Sequence, residues 1–313
     1  MIREKENLLF TFIPTMRCNY RCEYCFLSNE EKSGGSTMFD DHSPDEWIEA
    51  MMKFSEYNVE PYMWGGEPFC VDGTYEILRE WVKMDHVITG FRIDTNVYFA
   101  EKIVRECPSE KIKLNCSYHM QYHSLEEEFR KVKLLKEYDM IAMVNFVASP
   151  YNLRHLKEDY GMTVSDLINK FGEIGVFVNI AGDFTFANDP TYEKHDEYQR
   201  FIQQFISPDE WKWLRGVNKK TMCEAGRKSF LVGNDGEITT CMAIDNSNRG
   251  NFLKGTLIRD DLNRQCNGGC RPIIKYSFRC DNDFPTANHL LGYIQRNEEY
   301  RNSRREAFED FAF

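Results

Sequence analysis

Along the first half of the chain, short apolar runs alternate with longer stretches of helical periodicity. LLFTFIPT (8–15) reads as a buried strand. SPDEWIEAMMKFSEYN, from Ser43, has a capping serine, proline at the first helical position and acids in its first turn, and so predicts a helix. The alternation continues with strand-like VEPYMW (59–64), FRIDTN (91–96), KIKLNCSYH (111–119), IAMVNFVASP (141–150) and VFVNIAG (176–182). Between them TYEILREWVKM (74–84), SLEEEFRKVKLLKEYD (124–139) and VSDLINKFGEIG (164–175) read as helices. About six β/α units in roughly 170 residues predict an α/β fold with a parallel sheet and helices outside, as an open doubly wound sheet or a partial barrel. Both place chemistry at the carboxyl ends of the strands.

The pattern changes near Asp183. Residues 184–220 are polar and aromatic and predict one or two bridging helices, and 221–285 hold a cysteine-rich stretch. There, two strand-like runs flank Asp235-Gly236, a strong hairpin signal. Residues 286–313 are expected to form a helical tail, which leaves 1–183 as the expected core domain.

With 313 residues, the chain suffices for one large α/β domain and a small appendage. No run approaches the roughly 20 apolar residues of a membrane span, and the N-terminus lacks a signal peptide's apolar core, so a cytoplasmic protein is expected. In that compartment 11 cysteines point to metal binding or catalysis rather than to disulfides. A net charge of −11, with no dense Lys/Arg run, disfavours general nucleic-acid binding.

The cysteine spacing narrows the chemistry. CNYRCEYC places Cys18, Cys22 and Cys25 in the loop after the first predicted strand. A structural zinc ion wants four filled positions, whereas an iron–sulfur cubane held by three thiolates leaves one iron open to a small molecule. Trp64-Gly65-Gly66-Glu67-Pro68 follows at the end of the second strand, where two glycines permit close backbone approach. Cys18-x3-Cys22-x2-Cys25, with Tyr24 before the third cysteine, resembles the signature of radical S-adenosylmethionine (SAM) enzymes. WGGEP is similar to the segment that holds the SAM amino group in that superfamily.

The resemblance covers roughly residues 8–182 and implies a partial (β/α)6 TIM-like barrel. It implies a SAM-binding 4Fe-4S cluster on Cys18, Cys22 and Cys25, with SAM at the open iron, and Gly65, Gly66 and Glu67 as cofactor-binding residues. Tyr24 is expected at the adenine. Asn96, in the TNV stretch that resembles the family's TNG segment, and Ser117, placed for the ribose or carboxylate, complete the expected set; either also reads as a strand-end residue satisfying the backbone. The implied reaction passes one electron to SAM, breaks its sulfonium C–S bond, and uses the resulting 5′-deoxyadenosyl radical to remove a hydrogen atom from substrate. A flavodoxin- or ferredoxin-type electron donor is the expected partner.

Cys223, Cys241, Cys266 and Cys270 supply four thiolates to the second cysteine set. Alone they read as structural zinc. Beside the N-terminal motif they resemble the shortened form, called twitch, of the SPASM auxiliary domain, with one additional 4Fe-4S cluster that accepts an electron. Cys280 is a replacement ligand or a free thiol near the site. Cys70 and Cys116 are candidate hydrogen-atom donors or small buried hydrophobes, and Cys280 is a further candidate donor. Cys107 is expected to be inert. His119 and His123 follow the fourth strand, as substrate or proton-transfer groups or as ordinary loop hydrogen-bonding residues.

Together these features predict a radical SAM oxidoreductase acting on a small polar metabolite. A maturase that crosslinks, oxidises or epimerises a ribosomal peptide is the alternative, less favoured because only seventeen residues precede Cys18 to hold a leader-binding element. A non-catalytic zinc-binding protein is the third reading.

Overall fold

The computed structural model describes residues 5–25, 27–183, 195–207, 222–241, 245–262, 264–265 and 289–304. Six strands, β1 (Asn7–Phe12), β2 (Asn58–Met63), β3 (Phe91–Thr95), β4 (Ile112–Tyr118), β5 (Ile141–Ala148) and β6 (Phe177–Gly182), pair in sequence order, each parallel to the next. Helices α1 (Asn29–Gly34) and α2 (Pro44–Met52) join β1 to β2, and α3 (Asp72–Trp81) and α4 (Ala100–Glu106) flank β3. Helix α5 (Leu125–Glu137) precedes β5, and α6 (Pro150–Tyr160) and α7 (Val164–Gly172) precede β6. Later come α8 (His195–Ile202) and α9 (His289–Ser303).

The hairpin expected at Asp235-Gly236 is present between β8 (Ser229–Val232) and β9 (Glu237–Cys241), with Gly236 at φ 77°. Strand β7 (Met222–Cys223) stands apart, paired with β12 (Arg264–Gln265). Strand β8 lies parallel to β1, and β9, β10 (Asp245–Asn251) and β11 (Thr256–Leu257) continue outward by antiparallel pairing. The sheet order is therefore β11-β10-β9-β8-β1-β2-β3-β4-β5-β6. Since β2 and β8 occupy both edges of β1, β6 cannot close onto it, and the barrel stays open.

Phe252, just after β10, anchors this extension. It is fully buried, stacks on Phe54 and Trp47 at 4.8 and 5.9 Å between centroids, and meets Phe10 and Phe12 edge-on at 5.3 and 5.1 Å. Such aromatic pairs add about 0.5–1.5 kcal/mol each beyond area burial.

Three helices, the short α1 and α4 and the longer α6, go beyond the sequence expectation. Ser149 and Pro150 begin α6 as cap and first residue, which ends β5 at Ala148. Pro14 has no N–H for the sheet, and β1 stops at Phe12.

The strands alternate in chemistry. Val59, Met63, Ile93, Leu114, Val144 and Val178 join the apolar layer under the helices. The intervening Glu60, Tyr62, Arg92, Asp94, Asn115, Asn145 and Asn179 face the other way, into the barrel. A filled TIM barrel is packed with bulky apolar side chains; this lumen is lined with polar groups. Glu60 and Arg92 form an ion pair across β2 and β3, with side chains only 4% and 5% exposed. Arg92→Met strands a buried carboxylate and should cost about 3–5 kcal/mol in urea unfolding, whereas Glu60→Met with Arg92→Met should recover most of that loss.

Candidate active site

The site begins where β1 gives way to the cysteine loop. Thr15 bridges Thr37, Met38 N donates to Pro14 O at 3.0 Å, and Cys18 N donates to Lys32 O at 3.0 Å. Helix α1 is held by a capping box between Ser28 and Glu31. The loop is thus pinned at its start and along its return.

The Gly-Gly-Glu segment after β2 lies directly on that loop. Gly66 N donates to Thr15 O at 2.9 Å and Glu67 N to Arg17 O at 2.8 Å. A Cβ on Gly66 would stand 2.1 Å from Arg17 O, and one on Gly65, at φ 148°, would stand 2.3 Å from Thr15 O. Both positions therefore require glycine, and among the described residues their close neighbour is the backbone leading into Cys18.

Glu67 is fully buried and ties this segment to the end of β3. Its carboxylate accepts from Asn96 N at 2.6 Å, Thr95 Oγ1 at 3.0 Å and Phe69 N at 3.2 Å. Burial outweighs these donors and pushes its pKa up to about 7. Asn96 Nδ2 donates to Asn19 Oδ1 at 2.8 Å, inside the cysteine loop. Asp94 accepts from Tyr62 Oη at 2.7 Å and Asn115 Nδ2 at 3.0 Å, and burial raises it to about 6. Half-buried Ser117 is in register with Asn145, whose Oδ1 accepts from Asn179 Nδ2 at 2.6 Å.

Cys18, Cys22 and Cys25 are unbridged thiols on this one loop. Burial raises Cys18 above its ordinary value and pushes Cys22 to about 12, and the neighbouring thiols add to both effects. Without metal these two are neutral thiols at pH 7, and binding would displace their protons. Among the described residues no three His, Cys, Asp or Glu side chains converge as ligands of a single metal ion. Three spaced soft donors fit a four-iron cluster, which takes one thiolate at each of three separate irons.

His119 and His123 stand against the same loop. His119 Nδ1 lies 3.3 Å from Cys22 Sγ and 2.8 Å from Tyr24 Oη, and the Tyr24 ring stacks on the imidazole. Burial lowers the His119 pKa to about 4, so it is neutral at pH 7. His123 is buried between Tyr20 Oη at Nε2 and Glu128 Oε2, 3.1 Å from Nδ1. Tyr122 stacks on Tyr20 at 4.0 Å, and its hydroxyl accepts from Arg21 N at 2.6 Å.

Cys70 is half-buried in the turn Pro68–Cys70, with Sγ 3.8 Å from Asn19 Oδ1, and burial raises its pKa to about 12. Cys116 lies in the apolar layer under the helices, which removes it from the barrel-facing role open to it in the sequence. Cys107 is buried at the end of α4. Cys223 and Cys241 are each 1% exposed, while Cys266, Cys270 and Cys280 lie outside the described residues.

No family model matches the chain. In sequence it is 23% identical over 252 residues to the antilisterial bacteriocin subtilosin biosynthesis protein AlbA of Bacillus subtilis (strain 168), covering 74% of this chain and 54% of that protein. The chain thus spans about half the length of this curated relative. In structure it is similar to native anSMEcpe with bound AdoMet, at TM-score 0.52 and 15% identity, over 96% of this chain and 98% of that one. It is also similar to Streptococcus suis SuiB bound to precursor peptide SuiA, at TM-score 0.52 and 14% identity, over 82% of this chain and 65% of that one. This chain has the radical SAM fold. The superfamily resemblance carried by CNYRCEYC and WGGEP is borne out, as is the partial barrel.

Sequence reasoning passed over Asn19, Tyr20, Asp94, Tyr122 and Glu128. Asp94 left one trace, a polar residue at the lumen-facing phase of FRIDTN. Glu128 left none, since acids in a helix's first turn are ordinarily solvated.

Glu67 gives a test. Its folded-state value of about 7 exceeds the ordinary 4.5, so the folded chain holds this proton more tightly than the unfolded one. Its contribution to stability is then fully present below about 4.5 and is lost as pH rises through about 7. Across that window the Tm of the wild type should fall relative to that of Glu67→Gln; parallel melting profiles would refute a raised Glu67.

Proposed function

We propose that this chain is a radical SAM enzyme that modifies a peptide. The observation that carries this reading is the structural similarity to SuiB in complex with its precursor peptide. The curated relative's name, that of a bacteriocin biosynthesis protein, supports the same substrate class. On these grounds the peptide alternative replaces the small polar metabolite as the leading reading. The half-buried Asp94, Ser117 and Asn145 line the lumen with groups suited to peptide N–H and C=O.

Cys18, Cys22 and Cys25 would hold a 4Fe-4S cluster, and the backbone of Gly65–Glu67, with Tyr24, would contact SAM beside it. Bound there, the pair supplies reductive cleavage of SAM and hydrogen-atom removal from the substrate. The chain's own part is orientation: Glu67 fixes the Gly-Gly-Glu segment against the end of β3. Cys223 and Cys241, with Cys266 and Cys270, would hold a second 4Fe-4S cluster as electron acceptor, which makes the net reaction an oxidation. A flavodoxin- or ferredoxin-type protein would supply the first electron. Among the described residues no helix is long and apolar enough to cross a membrane.

Reduced protein incubated with SAM and fractionated extract should form 5′-deoxyadenosine above its uncoupled background with a peptide fraction. Stimulation by peptide-depleted small-molecule fractions alone would sink the peptide assignment. Anaerobically reconstituted protein carrying Cys18→Ala, Cys22→Ala and Cys25→Ala should retain about four iron and four sulfide per chain. One zinc and no iron would instead make the C-terminal cysteines a structural staple.

A further inference from the structure

Behind the cysteine loop stands a polar assembly that the proposed chemistry leaves without a role. Tyr20, between the first two cysteines, is only 4% exposed and is stacked flat on Tyr122. Its hydroxyl meets His123 Nε2; His123 Nδ1 meets Glu128, which is fully buried in the first turn of α5. Lys131, one turn further along α5, has Nζ 3.5 Å from His123 Nε2 and 3.1 Å from Glu127. This chain of contacts fixes the segment 119–123 against both α5 and the loop. Its first residue, His119, is thereby set with Nδ1 3.3 Å from Cys22 Sγ.

We propose that His119 is a positioning residue for the cluster, donating a hydrogen bond from Nδ1 to the Cys22 sulfur and so setting how readily the cluster takes up an electron. This rests on Cys18, Cys22 and Cys25 holding the cluster. A coordinated thiolate carries no proton and only accepts, so it selects the imidazole tautomer with the proton on Nδ1. A donor to a cluster sulfur withdraws electron density and favours the reduced state. Tyr24 Oη, at 2.8 Å, competes for the same ring nitrogen. Loss of His119 and loss of the Tyr24 hydroxyl therefore act in opposite directions, which a purely structural role would not produce.

The test is an EPR-monitored reductive titration, without SAM, of anaerobically reconstituted protein. The signal followed is the one missing from the triple Cys18→Ala, Cys22→Ala, Cys25→Ala chain. In His119→Leu the midpoint should become more negative by an amount equivalent to roughly a tenfold loss in the reduction equilibrium, about 59 mV for one electron. His119→Asn, which returns an N–H near the Nδ1 position, should recover most of the shift, and Tyr24→Phe should move the midpoint the other way. An unchanged midpoint in His119→Leu at wild-type iron content overturns the proposal. If His119→Leu assembles no cluster, Tyr24→Phe decides: a midpoint unchanged or more negative overturns it. Wild-type protein with no iron attributable to the three cysteines overturns both the proposal and the cluster assignment beneath it.

Discussion

The site depends on one close backbone contact. Gly66 and Glu67 are hydrogen-bonded to Thr15 and Arg17 at a separation that leaves a Cβ only 2.1 Å from Arg17 O. Without that approach the end of β2 and the exit of β1 could not share hydrogen bonds, and Cys18 would lose its fixed relation to the barrel. Glycine's missing side chain is thus used to join two loops. Glu67 extends the constraint to a third strand end, because its buried carboxylate is the common acceptor for Thr95, Asn96 and Phe69.

The open barrel follows from a second constraint, on edges. Both sides of β1 are hydrogen-bonded, to β2 and to β8, so the sheet runs on into the C-terminal strands instead of closing. Phe252 locks that continuation into the aromatic core, which couples the C-terminal strands to the barrel through packing as well as pairing. The lumen left inside is polar, and several of its side chains pair with one another: Glu60 with Arg92, Asp94 with Tyr62 and Asn115, Asn145 with Asn179.

The second histidine of the 119–123 segment has a different place from the first. His123 lies inside the protein, between a tyrosine of the cysteine loop and a glutamate of α5. His119 touches the loop's sulfur directly. Two imidazoles four residues apart thus meet different parts of the loop, a tyrosine hydroxyl and a cysteine sulfur.

By itself the sequence determined most element types of the barrel, because apolar runs and capping signals are local. It also determined the three thiols and the two glycines, since spacing within one loop is preserved on folding. Tertiary structure alone decided what those residues meet. That Gly66 rests on Arg17, that Glu67 reaches Asn96, and that Glu128 holds His123 beneath Tyr20 are contacts between distant segments. Helices α4 and α6 were missed for a related reason: α4 has no side-chain cap, and α6 begins where an apolar run and a serine cap overlap. A partial barrel was expected from the sequence, but the pairing that keeps it open was hidden, because β8 returns to β1 after more than two hundred residues and no local pattern encodes that contact.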